Sequence, residues 1–184
     1  MKIAYFDCIA GASGDMILGA FLDAGLSFER LKSRLSALNI PDYELQVSKV
    51  NKNGFSATKL DVLIGSGAPE RHLKDIEDIF HASQLPILIQ QQALHIFHRI
   101  AEVEAGIHQK DVSDVHLHEL SGIDTIVDIT GTLIAVDELK IERVIASPLP
   151  LSRGFTRSAH GPIPLPAPVT NAFRSAMRPT TSPF

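Results

Sequence analysis

Two short stretches of this 184-residue chain hold residue types whose spacing suits chemistry. In VHLHEL, His116 and His118 stand two apart, which in an extended backbone puts both imidazoles on one side and Leu117 on the other. Glu119 adds a carboxylate, and Asp124 and Asp128, four apart, share one face of a helix expected to begin just beyond. Imidazoles with carboxylates suit nickel, zinc or iron, and affinity order alone does not choose among them. The competing plain reading makes His116 and His118 polar strand-end residues and Asp124 a helix cap.

The other stretch is FDCIAGASGDM. A strand ending at Asp7, a loop of small residues and then a helix is an arrangement that presents backbone N–H groups to an anion. Gly11 and Gly14 let the backbone come close to a phosphate, Ser13 can donate a hydrogen bond, and Asp7 and Asp15 can hold a divalent ion bridging to the phosphate oxygens. The Lys-Ser/Thr ending of a P-loop and the full GxGxxG spacing are both missing, so neither nucleotide fingerprint applies. The structural alternative makes Asp15 a favourable charge at a helix start, Gly11 a turn residue and Asp7 a strand-end cap. Cys8 reads either as a soft ligand or nucleophile, or as a small buried residue. His95 and His98 fall on the solvated side or flank of a long helix, His72 and His81 on a short surface helix, and His160 in a loop beside a Gly-Pro bend. His108 is close in sequence to the VHLHE stretch.

These groups must be positioned by the elements around them. Residues 2–7 read as a strand, and the run MILGAFLDAG as a helix ended by Gly25. Ser27 is the N-cap of a second helix reaching Asn39, with Phe28, Leu31, Leu35 and Leu38 on one face. Tyr43 to Val50 and Phe55 to Ile64 form a hairpin turning at Asn53-Gly54. Leu73, Ile76, Ile79 and Phe80 mark a short helix, and Pro86 opens a long one whose buried face holds Ile89, Ala93, Phe97, Ile100 and Val103, opposite Gln91, His95, Arg99 and Glu102. A last helix runs from Ser121, as N-cap of a capping box with Asp124, to Leu139, and a strand follows near Arg143 to Ser147. The proline-rich end has no clear period and reads as extended, fraying into a tail. The class is α/β (mixed α+β): a mixed sheet with an antiparallel hairpin, packed by several helices.

Hydrophobic residues make up 45% of the chain and its formal net charge is -4, without a basic run, so one globular domain is expected and a nucleic-acid partner is not. One cysteine and no signal-like or membrane-spanning apolar run point to a soluble cytoplasmic protein with no membrane partner.

Taken in order, FDCIAGASGDM, HLKDI, VHLHELSGIDTIVDITG and HGPIPLPAP resemble the family of nickel-insertion proteins for the nickel-pincer nucleotide cofactor (LarC) over residues 1–169. The resemblance implies a nickel insertase, a lyase-type metal chelatase. Using CTP and a divalent ion in the full-length family, it places nickel in pyridinium-3,5-bisthiocarboxylic acid mononucleotide, giving the cofactor of lactate racemase-type enzymes. On that reading Asp7 and Asp15 are catalytic, Gly11, Ser13 and Gly14 bind the nucleotide phosphate, and His116, His118, Glu119, Asp124 and Asp128 hold nickel until softer sulfur ligands take it. The chain departs from the family in having SGAPER where a histidine-rich stretch often precedes HLKDI, and Ser121-Gly122 where a glycine-alanine pair is usual. It also passes after PAP into residues 170–184, read as a divergent, flexible tail, where the family continues into a domain thought to bind CTP. CTP is therefore not expected on this chain, and a frameshift-fused or separate C-terminal domain becomes an expected partner; a homo-oligomer stays open. Two other functions compete: a nickel-binding module or chaperone without catalysis, and a metal-dependent phosphohydrolase built on Asp7 and Asp15.

Overall fold

The computed structural model describes residues 1–9, 11–52, 54–65, 71–115, 117, 122–149, 155–158 and 161–164. The chain begins with strand β1 (Ile3–Phe6), followed by helices α1 (Gly14–Asp23) and α2 (Phe28–Leu35). Then come the paired strands β2 (Tyr43–Lys52) and β3 (Phe55–Ile64), and helices α3 (Leu73–Ala82), α4 (Ile87–His108) and α5 (Ile123–Glu138). Strands β4 (Arg143–Ala146), β5 (Phe155–Ser158) and β6 (Gly161–Pro164) complete the order. The α/β class expected from the sequence is borne out. β1 pairs in parallel with β4, β2 with β3 antiparallel and β5 with β6 antiparallel, each as a two-stranded ladder.

Local chemistry sets the boundaries. Ser27 Oγ accepts from Arg30 N–H at 3.4 Å at the start of α2, as its N-cap role requires. Gly25, at φ 104°, makes the left-handed step after α1 that a side chain would oppose. Gly54, at φ 87°, turns the hairpin, and its N–H donates to Asn51 Oδ1 at 3.1 Å. The Asp75 carboxylate accepts from His72 N–H at 2.8 Å, so His72 stands at the start of α3 rather than on the helix.

The core lies among α1, α2, α3, α4, α5 and the inner face of β2–β3, with Phe21, Leu31, Leu60, Phe80, Phe97, Ile126 and Ile134 fully buried. Phe6 meets Phe21 edge-on at 5.5 Å, which fastens β1 to α1. Three sequence expectations need correction. Val103 is 51% exposed; after Phe97 the buried face of α4 continues through Ala101 and Ala105, because a 3.6-residue repeat followed in steps of four drifts away from the 100–103 side. α5 begins at Ile123 with Gly122 as N-cap, later than the expected start at Ser121, and Asp124 Oδ1 accepts from the adjacent Thr125 N–H at 2.9 Å. The proline-rich end contains the β5–β6 hairpin. Pro162 and Pro164, two apart in β6, place both missing N–H groups on one side of the strand, which a ladder with a single partner tolerates.

Candidate functional site

The C-terminal ends of the parallel pair β1–β4 are stapled together. Ser147 N–H donates to the Phe6 carbonyl at 2.9 Å, and Cys8 N–H donates to Ser147 Oγ at 2.8 Å. Cys8 is 1% exposed, and its thiol lies 3.7 Å from the Phe6 carbonyl. That environment fits the buried-residue reading of Cys8. Asp7, next to it, is exposed. Beyond Cys8 the chain turns back on itself, with Gly11 N–H donating to the Cys8 carbonyl at 3.0 Å and Gly11 at φ 86°.

The start of α1 is crowded with acid. Ser13 is the N-cap residue, but its hydroxyl donates to Asp15 Oδ1 and makes no cap bond. Asp15 Oδ1 also accepts from Met16 N–H at 2.9 Å. Gly14 lies directly against Asp128 of α5: a Cβ on Gly14 would collide with Asp128 Cβ, Cγ and Oδ2. The two motifs picked out in the sequence therefore meet here, through Gly14 and Asp15 on one side and Asp128 on the other.

Burial, and then the neighbouring charges of Asp15 and Asp124, push the Asp128 carboxyl up to about 7, partly offset by the Asp15 backbone amide. Asp128 Oδ1 is buried and has no hydrogen-bond partner among the described residues. Three carboxylates with an unsatisfied oxygen form an arrangement that a proton or a cation relieves. Among the described residues, however, no three His, Cys, Asp or Glu side chains converge as a complete metal site. His116, His118 and Glu119 lie outside the described residues, as do Ser121 and His160.

The donors assigned to a phosphate are in part taken by carboxylates: Ser13 Oγ and Met16 N–H face Asp15, and Gly14 is covered by Asp128. A bare phosphate meets repulsion from Asp15, Asp124 and Asp128, and a triphosphate meets more, so these residues do not fit CTP directly. Elsewhere, His98 Nε2 is 2.7 Å from Glu77 and His108 Nε2 is 3.3 Å from Glu104, which makes them surface partners of helix carboxylates. What the sequence could not signal is the Gly14–Asp128 contact, since neither residue is unusual alone and the two are far apart in the chain.

A nickel insertion protein family model matches residues 4–181, a span that reaches past residue 169. The chain belongs to the nickel insertion protein family. It is similar to the pyridinium-3,5-bisthiocarboxylic acid mononucleotide nickel insertion protein of Desulfitobacterium hafniense, 45% identical over 170 residues covering 92% of this chain and 42% of that protein. It is likewise similar to the protein of the same name from Geobacillus kaustophilus, 46% identical over 180 residues covering 92% of this chain and 44% of that protein. The chain thus spans less than half the length of these curated relatives. No solved structure matches it.

Proposed function

We propose that this chain takes part in inserting nickel into pyridinium-3,5-bisthiocarboxylic acid mononucleotide, in the cytoplasm, with nickel as cargo and the mononucleotide as acceptor. Family membership and the names of the two relatives support the reaction. The observation that carries the reading is the meeting of the two motifs at Gly14, Asp15 and Asp128, where a buried carboxylate oxygen without a partner among the described residues lies beside acids. His116, His118 and Glu119 precede α5 and, with Asp124 and Asp128 on its first two turns, form the proposed donor set for nickel. Nitrogen and oxygen donors hold the ion less firmly than the two thiocarboxylate sulfurs of the acceptor, so transfer runs toward the softer ligands.

Gly11, Ser13 and Gly14 are proposed to meet the mononucleotide's phosphate through a cation held by Asp15 with Asp7, since the carboxylates alone would repel it. CTP and a divalent ion, which the resemblance implies for the family, are assigned to none of the described residues. The lyase-type classification rests on the same proposal.

Equilibrium dialysis with nickel, and with zinc in parallel, tests the donor set. The native chain is expected to bind about one nickel ion without CTP, and the His116→Ala/His118→Ala double variant at least tenfold less. Equal binding by the two proteins would remove the histidines from the site. Release of phosphate from simple esters would favour the phosphohydrolase reading instead.

A further inference from the structure

α1 and α5 mesh through reciprocal glycines. Gly14 of α1 lies under Asp128 of α5, and one turn further on Gly131 of α5 lies under Leu18 of α1, where a methyl group would sit 3.1 and 3.2 Å from Leu18 Cδ2 and Cδ1. Both glycines have ordinary backbone angles, so their missing side chains serve contact and not chain conformation. The first contact holds the end of the loop that follows β1. Ser13, at the N-cap position of α1, makes no side-chain cap bond, and the Asp128 carboxyl fills the space beside the helix start instead. A carboxylate there is also favoured by the partial positive charge of the helix N-terminus. Asp128 belongs to the second turn of a 16-residue helix whose other face is core, a rigid support for such a contact.

We infer that Asp128 is a positioning residue: packed on Gly14, it locks the Gly11–Asp15 segment to α5, so the helix after VHLHE fixes where the loop stands. The carboxyl faces Gly14 through Oδ2, and Oδ1 has no hydrogen-bond partner among the described residues, so the lock is separate from any bond Oδ1 makes to an ion. The consequence for nickel rests on the proposed function; the lock itself is a property of the packing. The two segments then respond as one: displacing Gly14 alters the surroundings of a metal held next to α5 although no donor atom is removed.

A double-mutant cycle on the whole chain with Gly14→Ala and Asp128→Gly tests this, reading the urea midpoint and, with nickel chloride alone as probe, nickel affinity and the visible absorption bands of bound nickel. In the native background Gly14→Ala is expected to lower the midpoint, weaken nickel about tenfold and shift the absorption bands. In the Asp128→Gly background the same change is expected not to lower the midpoint, because the collision partner is gone. Should Gly14→Ala alone fail to fold, recovery of folding by Asp128→Gly is the expected result. Equal destabilisation in both backgrounds overturns the lock, and a lower midpoint with native affinity and absorption bands overturns the positioning role. Absence of nickel binding by the native chain would sink the proposed function and the positioning role with it, while the stability half of the cycle would still decide the lock.

Discussion

Asp128 makes folding depend on pH in a direction opposite to that of most carboxylates. Its ordinary value of 3.8 is pushed up to about 7 by burial, then by Asp15 and Asp124, so between these two values the folded protein keeps a proton that the unfolded chain gives up. The stabilisation is full below the unfolded value and is lost as pH rises through about 7. Asp128→Asn removes the titration while keeping the shape. In metal-free buffer the variant is expected to melt above the native chain at pH 8, with the difference shrinking toward pH 4.5; a pH-independent difference in Tm would refute the assignment. At this scale the sequence was informative about residue types. Asp124, Asp128 and the small residues of the loop were singled out from spacing, but the contact of Gly14 with Asp128 depends on how two distant helices cross.

Among the elements, α1 is the one packed most tightly through glycine. A methyl on Gly19 would collide with the Thr58 backbone carbonyl of β3, which can move only with its strand, whereas Gly131 faces the flexible methyls of Leu18. Overpacking costs roughly 1–3 kcal/mol and a helical Gly→Ala change returns about 1 kcal/mol. Gly19→Ala is therefore expected to destabilise by ~1–2 kcal/mol and Gly131→Ala to be nearly neutral, as urea denaturation of each will show. The C-cap of α4 offers the reverse case. Gln109 is held at φ 51°, a left-handed conformation that costs a non-glycine residue roughly 1–2 kcal/mol, so Gln109→Gly is expected to raise stability by about 1 kcal/mol in the same assay. The elements were largely legible because Ser27, Gly25, Asn53-Gly54 and Pro86 are strong local signals. The β5–β6 hairpin was not, since prolines hide strand character where only one edge is paired, and Gln109 ended α4 without the glycine that marks such ends.

At the scale of the molecule, the described residues hold three separate two-stranded ladders, so their strands contribute little stability of their own and the helices carry the core. β1–β4 is a thin ladder: four residue pairs, with Tyr5 and Val144 about half exposed. Hydrogen exchange is expected to be faster by at least tenfold for the Glu142 and Ser147 amides, which bond to Lys2 and Phe6, than for those of Ile126 and Ile134 in α5. Equal protection would show that the ladder opens only with global unfolding. The parallel pairing of the first strand with the fourth was not readable in advance, because four-residue apolar runs specify no partner.

That pairing also sets an order of events during synthesis on the ribosome. Lys2 N–H donates to Glu142 Oε1 across a separation of 140 residues, so β1 has no partner until nearly the whole α-helical core has been made. At roughly 5–20 residues per second, β1 waits on the order of 10 seconds with its backbone groups facing water or a chaperone. Its closure on β4 is thus a late step, and the loop that carries Gly11 to Asp15 acquires its final setting only after α5 has been synthesised.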